Sequence, residues 1–134
     1  MLHMFLNTLH KCYYSELKKR FPIQYTEEKA VHLLLSIPAI YESFEQTFAT
    51  HRYKPIDVAV IYLNEMASPV SNRSLSREEV YLLQFAVEIW SGQSHLKRGV
   101  FRLNKALGVW NEGYINLFYD VLQLVRPRPQ MIAL

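Results

Sequence analysis

The stretch SREEVYLLQFAVEIWSG, residues 76–92, decides the fold class, because it carries a helix start, a helix stop and an almost unbroken apolar interior. Ser76 and Glu79 form a capping box, in which each side chain satisfies the backbone N–H of the other residue. Gly92 supplies the stop. A helix that is apolar nearly all round is usually covered by its neighbours, so we expect it at the centre of an all-α domain. Its apolar residues are Val80, Leu82, Leu83, Phe85, Ala86, Val87, Ile89 and Trp90.

Helix signals continue upstream of this segment. Apolar residues at steps of three and four predict a helix over Leu2–Arg20, and a second helix over Thr26–Leu35 has Thr26 as its expected cap. Pro38 and Pro55 each fit the first turn of a further helix. The run Val58–Leu63 could form a buried strand by composition, but helix is favoured because no partner strand is evident in the sequence.

Two more helices are predicted downstream. Ser94 caps the first, which ends at Gly108, and Asn111 caps the last. The chain is therefore predicted to form a single compact all-α domain of six to seven helices over residues 1–125, followed by a short basic, proline-containing tail over 126–134. The inward face of the last helix is predicted to comprise Ile115, Phe118, Val121, Leu122 and Val125.

Composition limits the function classes. Of the 134 residues, 50% are hydrophobic and 13% are aromatic, which excludes a disordered chain. A single cysteine excludes an internal disulfide framework and fits a reducing compartment. The sequence lacks an apolar run of about 18 residues, and its amino-terminal segment lacks the pattern of a secretory signal. We therefore expect a cytoplasmic protein without a membrane span.

The histidines and the cysteine do not form a metal-binding or nucleophilic motif. His10, Cys12 and Glu16 are close in sequence, but they project from different sides of one predicted helix, and zinc needs three or four converging ligands. Cys12 lies in mid-helix without the environment that activates a thiolate, so we interpret it as a buried structural thiol. No metal, cofactor or catalytic residue is predicted.

The sequence gives little support for catalytic carboxylates or for a phosphate-binding site. Glu42 and Glu45 share one helical face, but no Glu-x-x-His motif accompanies them, and a solvated acidic face is the favoured interpretation. The sequence has no glycine-rich phosphate-binding loop. An enzyme would need a polar cleft that holds Glu42, Glu45 or His32 with a strongly perturbed pKa, and the sequence does not predict one.

The most distinctive functional feature is a predicted basic helix over residues 95–107. No acidic residue interrupts it, and its cations lie opposite an apolar arc of Leu96, Val100, Leu103 and Leu107. The chain has 7 basic and 7 acidic residues up to Ala67 and 8 basic and 5 acidic residues after it, so the whole net charge of +3 lies in the second part. The predicted partner-binding residues are Lys97, Arg98, Phe101, Arg102 and Lys105, with Arg126 and Arg128 in the tail.

This basic helix admits three interpretations. It can contact an acidic protein surface, bind the phosphates of a nucleic acid, or be solvated. A helix-turn-helix of Ser76–Trp90 and Leu96–Leu107 is disfavoured, because the first helix is apolar all round and the second lacks an early Asn or Gln to read bases. The nine tyrosines and two tryptophans favour an interaction surface or a homodimer, since these residues are enriched at interfaces.

One family resemblance bears on function. An apolar helix that ends in an aromatic residue, a small polar residue and glycine, as Trp90-Ser91-Gly92 does here, resembles a recurring feature of short phage and prophage proteins of Gram-positive bacteria. Those proteins have no assigned function, so the resemblance implies a small helical accessory protein of mobile-element origin and supplies no catalytic residues. It covers about residues 26–125. The similar segments are Thr26–Leu35, Ile40–Phe48, Ala86–Gly92 and the closing helix from Asn111.

These observations lead to one main functional prediction and one alternative. We predict a non-enzymatic helical accessory protein that acts by protein–protein binding, either to host or defence machinery or as its own dimer. The alternative is a nucleic-acid-binding protein that uses the basic helix over residues 95–107.

Overall fold

The computed structural model describes residues 5–65, 74–91 and 101–125, and these residues form seven α-helices without a β-strand. The all-α prediction is confirmed. The predicted residues Lys97, Arg98, Arg126 and Arg128 and the tail lie outside the described residues. The helices are α1 (Thr8–Arg20), α2 (Thr26–Leu35), α3 (Pro38–Thr50), α4 (Pro55–Glu65), α5 (Arg77–Ser91), α6 (Leu103–Val109) and α7 (Glu112–Val125).

Helix α2 lies at the centre of the domain. It packs against α1, α3, α4, α5 and α7, and every residue from Ala30 to Leu35 is buried. Helix α5, which the sequence analysis places at the centre, packs against α2, α4 and α6 and leaves Trp90 40% exposed at its end. The structural hub is therefore α2, and α5 is the long helix that packs along it.

Most helix starts follow local signals in the sequence. Helices α3 and α4 both begin at a proline, as predicted. At α5, Ser76 Oγ accepts from the Glu79 N–H at 3.3 Å, and Glu79 Oε1 accepts from the Ser76 N–H at 3.0 Å. At α7, Asn111 Oδ1 accepts from the Tyr114 N–H at 2.9 Å. The run Val58–Leu63 lies inside α4, so the strand alternative is wrong.

Helix α1 begins later than predicted. The predicted helix starts at Leu2, whereas α1 starts at Thr8. Asn7 is the N-cap, and its Oδ1 accepts from the His10 N–H at 2.8 Å. An Asn side chain in this position satisfies an N–H that the first turn leaves free, and it therefore favours the start of the helix at Thr8.

The cap of α2 also differs from the prediction. Thr26 is the first helical residue instead of the cap, and Tyr25 is the N-cap. The Glu28 carboxylate accepts from the backbone N–H groups of Gln24 at 2.7 Å and Tyr25 at 3.1 Å. The acidic residue in the first turn thus does the capping that the sequence analysis assigned to the threonine.

The predicted helix from Ser94 to Gly108 is described from residue 101 onward, and the prediction is wrong at residues 101 and 102. Phe101 and Arg102 are not helical, and α6 spans only Leu103–Val109. Arg102 is its N-cap in an extended conformation, without a side-chain hydrogen bond. The periodicity of this segment gave no stop signal, because its apolar arc runs without interruption up to Leu107.

The rotation of α7 differs in part from the prediction. Phe118 and Val121 are buried as expected, and Ile115 and Val125 are partly buried against the core. Leu122, however, is 40% exposed, and Leu117 takes an inward position with 1% exposure. Apolar residues cover much of this helix, so its sequence alone leaves the buried side ambiguous.

Candidate functional site

One candidate site is the exposed side of α6, which we call the α6 surface and define as Arg102, Leu103, Lys105 and Leu107. Leu103 is 40% exposed and Leu107 is 37% exposed, and both cations are exposed. The inward residues of the helix are Ala106, which is buried, and Val109. The leucines of the predicted apolar arc are therefore partly exposed to solvent, on the same short helix as Lys105 and next to its N-cap residue Arg102.

A cluster of aromatic rings holds α6 in this orientation. Phe101 packs on Phe85 at 5.3 Å and on Trp110 at 5.8 Å between ring centroids, and Phe118 lies 4.7 Å from Phe85. The Trp110 indole N–H donates to the Glu78 carbonyl at 2.9 Å. Phe101 precedes α6 in the chain and Trp110 follows it, and their stacked rings lie in the same cluster. The anchoring of both ends therefore fixes which side of α6 faces outward.

The predicted partner-binding residues thus have different environments. Arg102 and Lys105 are exposed on the α6 surface, whereas Phe101 is half-buried in the aromatic cluster. Leu103 and Leu107 were assigned to an apolar arc, and the sequence analysis did not propose them as binding residues. Their exposure depends on how Phe101 and Trp110 pack, and no local signal reports it. The helix-turn-helix alternative loses its long recognition helix over the described residues, because α6 has only 7 residues.

The environments of His10 and Cys12 reverse the expectation for this helix. Cys12 is exposed, so its interpretation as a buried thiol is wrong. His10 is fully buried, where its Nδ1 accepts from the Leu6 N–H at 2.9 Å and its Nε2 donates to the Leu33 carbonyl at 2.8 Å. These partners fix a neutral imidazole, and burial lowers the pKa of His10. Among the described residues, no group of three His, Cys, Asp or Glu side chains could hold a metal ion.

A second candidate site is a cleft of about 250 Å³ where α1, α2, α4 and α5 meet, which we call the Arg20 cleft. Three of its lining residues lie at helix ends. Arg20 is the last residue of α1, Lys54 directly precedes α4, and Trp90 lies near the end of α5. The apolar side chains in its wall come from four distant parts of the chain, so sequence periodicity could not reveal it. The remaining lining residues are Phe21, Pro22, Gln24, Glu28, Val31, His32, Pro55 and Ile56.

His32 lies in the wall of this cleft with both ring nitrogens against carbonyl oxygens. Nδ1 is 2.8 Å from the Glu28 carbonyl oxygen, and Nε2 is 2.9 Å from that of Phe21. A neutral imidazole can donate to only one of them, whereas an imidazolium donates to both. Burial lowers the pKa of His32, and the two backbone hydrogen bonds oppose that shift. Through these contacts, His32 links the backbone at Phe21, directly after α1, to α2.

The carboxylates on α3 belong to a different part of the molecule. Tyr13 Oη donates to Glu42 Oε2 at 2.8 Å, and this bond raises the pKa of Tyr13 to about 12. The Tyr13 ring also stacks on Tyr41 at a centroid distance of 4.3 Å, so the contact joins α1 to α3. Neither Glu42 nor Glu45 lines the Arg20 cleft. The structure therefore does not bring these carboxylates together with His32 in one cleft.

Comparisons with known proteins leave the function to be argued from these two surfaces. No family model, curated protein or solved structure matches the chain. In the part of the chain that the structure describes, no helix has both the length and the apolar character needed to cross a membrane. The phage-protein resemblance stays a prediction from sequence.

Proposed function

We propose that this chain is a non-enzymatic binding protein whose α6 surface contacts an acidic and apolar surface of another protein. The observation that supports it best is that Leu103 and Leu107 are exposed on the same short helix as Lys105, with the exposed Arg102 at its start. Burying the two leucines against a partner would remove apolar area from water, which is the main driving force of association. The two cations would select a partner with carboxylates around an apolar centre.

The leucines favour a protein over a nucleic acid as the partner. Phosphate binding uses cations and hydrogen-bond donors and gains little from exposed aliphatic side chains. A protein interface, in contrast, commonly has an apolar centre with charged residues at its rim. Leu103 and Leu107 are one helical turn apart and can form such a centre, with Arg102 at the start of the helix and Lys105 on its other flank.

Charge also favours a different protein over a second copy of this chain. A two-fold dimer through α6 would place the same patch against itself. That arrangement would bring Arg102 and Lys105 of one copy close to the same cations of the other, and the sequence from 101 to 111 contains no acid to compensate them. Because the chain resembles phage proteins, we further propose that the partner is a host or defence protein and that the two bind in the cytoplasm.

Site-specific photo-crosslinking tests this proposal. A benzoylphenylalanine at the exposed Asn104 of α6 should form adducts with a protein in lysate from cells that naturally make the chain, and the crosslinked peptide should be rich in Asp, Glu and apolar residues. The pair Leu103→Gln and Leu107→Gln should lower the yield about tenfold or more. The pair Arg102→Gln and Lys105→Gln should also lower it.

Helix α7 supplies the matched controls. Leu122 has the same 40% exposure as Leu103, so Leu122→Gln should leave the adduct at Asn104 unchanged. The crosslinker at the exposed Gln123 should not capture the same protein. The proposal would be overturned by adducts with nucleic acid that weaken steeply with salt, by adducts with a second copy of this chain, or by adducts that are insensitive to both pairs of α6 variants.

A further inference from the structure

The Arg20 cleft combines an apolar wall with two cations, and we propose that it binds a small organic carboxylate with an apolar body. The cleft is independent of the α6 surface, and no residue of α6 lines it. Ligand sites typically consist of apolar and aromatic side chains around a few well-placed polar groups, and this cleft has that composition. Its volume of about 250 Å³ lies just below the range of about 300 to 1,000 Å³ that is typical of such sites, which suits a small molecule.

Arg20 is the residue that points to an anion. Its Nη1 is buried and has no hydrogen-bond partner in the structure, which is the only such side-chain atom found among the described residues. A buried donor without a partner costs free energy, and a carboxylate bound in the cleft that Arg20 lines would lower that cost through its negative charge. The planar guanidinium also matches the geometry of a carboxylate.

The remaining charges in the wall agree with an anionic ligand. Lys54 is exposed at the rim and adds a second positive charge. Among the described residues of the wall, Glu28 is the only acidic one, and its Oε1 already accepts from the N–H groups of Gln24 and Tyr25. His32 has both ring nitrogens at backbone carbonyls. Arg20, which is partly buried and whose Nη1 has no partner, is therefore the charged residue of the wall left for an anionic ligand.

The apolar part of the wall selects the body of the ligand. Val31 and Ile56 are buried beside the cleft, with exposures of 2% and 7%, and the ring of Phe21 lies next to them in the wall. Trp90 is 40% exposed and would lose contact with water if an alkyl or aromatic group entered. A carboxylate at Arg20 with its hydrocarbon part against these side chains would use both features.

An NMR titration of the full chain with hexanoate, hexan-1-ol and hexylammonium separates the headgroup from the hydrocarbon. Hexanoate should shift the Trp90 indole N–H signal with a dissociation constant of about 1 to 10 mM, as expected for so few atoms. Hexan-1-ol and hexylammonium should bind at least about tenfold more weakly. The Trp110 indole N–H, which is bonded to the Glu78 carbonyl, is the internal reference and should not move.

Variants of the two cations complete the test. Arg20→Gln should weaken hexanoate binding about tenfold. Lys54→Glu should weaken hexanoate binding without weakening the binding of hexan-1-ol. Lys54 is exposed, so its charge reversal does not threaten the fold. Lys19→Gln is the matched control, because Lys19 lies in the same last turn of α1 and does not line the cleft, and it should change nothing.

The proposal would be overturned by any of three results. Hexan-1-ol or hexylammonium could bind as well as hexanoate, Arg20→Gln and Lys54→Glu could both leave hexanoate binding unchanged, or hexanoate could fail to shift the Trp90 signal. The pair Leu103→Gln and Leu107→Gln should keep full hexanoate binding. This separation distinguishes a failure here from a failure of the α6 proposal.

Discussion

Helices α5 and α6 are neighbours in the chain and pack on each other, yet they use their apolar residues in opposite ways. In α5, Leu82, Leu83 and Ala86 are completely buried. In α6, only Ala106 is buried, while Leu103 and Leu107 are 40% and 37% exposed. The apolar residues of α5 therefore stabilise the fold, and those of α6 are available to a partner. Apolar content alone does not distinguish these roles, and burial does.

The largest expected effect is the loss of stability on truncating a leucine of α5. Leu83→Ala should lower the free energy of unfolding by about 2 to 5 kcal/mol, because it leaves a cavity in a fully buried position. Leu107→Ala, the same change on α6, should alter it by less than about 0.5 kcal/mol. Urea denaturation of both variants measures the difference. Equal losses would show that α6 belongs to the core and would contradict the comparison.

Phe101 lies between these extremes and tests how α6 is held. Its ring is half-buried against Phe85, Trp110 and Phe118, so Phe101→Ala should cost about 2 kcal/mol of stability. Phe101→Leu, which keeps most of the apolar area, should retain most of that free energy. Denaturation of the two variants decides the matter. An unchanged stability in Phe101→Ala would return this residue to the role predicted from sequence, as a side chain free to bind a partner.

The starts of the two helices provide a finer comparison. Ser76 and Glu79 cap α5 reciprocally, whereas Arg102 stands at the N-cap of α6 without a side-chain hydrogen bond. Ser76→Ala should therefore lower the free energy of unfolding by about 1 kcal/mol. Arg102→Ala should change it by less than about 0.5 kcal/mol. The reverse order in thermal or urea denaturation would contradict the assignment of the caps.

These helix starts also explain how much of the fold was predictable. A cap or a first-turn proline acts within four residues, so the starts of α3, α4, α5 and α7 could be inferred from the sequence. The start of α6 could not, because Phe101 leaves the helix to join rings from α5 and α7. The exposure of Cys12 and the burial of His10 depend on which side of α1 faces α2. The hydrogen bond from His10 to the Leu33 carbonyl, a tertiary contact, fixes that orientation.

The candidate sites were predictable to different degrees. Arg102 and Lys105 were inferred from charge distribution, and both are exposed on α6. The Arg20 cleft left no signal, because the residues that form it, such as Arg20, Lys54 and Trp90, are far apart in sequence and do not form a common motif. Local periodicity reports which residues share a helix face, and it does not report which helix ends meet.

A change of pH should act first on α1 and α2, because the buried histidines of the described residues, His10 and His32, lie on these two helices. Burial lowers the pKa of His10 and His32 below the usual value of about 6.5. As the pH falls below about 6.5, the unfolded chain takes up protons at these sites before the folded chain does, so the folded state loses stability. The stability that these residues contribute is fully present above that pH.

Urea denaturation at pH 7.5 and pH 5.5 measures this loss. His32→Gln should reduce the pH-dependent part of the loss, even if it lowers stability at both values. His51→Asn is the control, because His51 is exposed at the end of α3 with a φ of 56°, which asparagine tolerates, and it should leave the loss unchanged. Equal pH dependence in the two variants would contradict the role assigned to His32.

The two buried histidines should also differ in the order in which they bind protons. A proton on Nδ1 of His10 would face the Leu6 N–H, a donor, whereas both nitrogens of His32 face acceptors. We therefore expect His32 to take up its proton at a higher pH than His10, which an NMR titration of the imidazole signals measures. Residues 101–125 contain no histidine. Acidification should weaken the core around α2, and protonation of His10 before His32 would contradict the hydrogen-bond assignment.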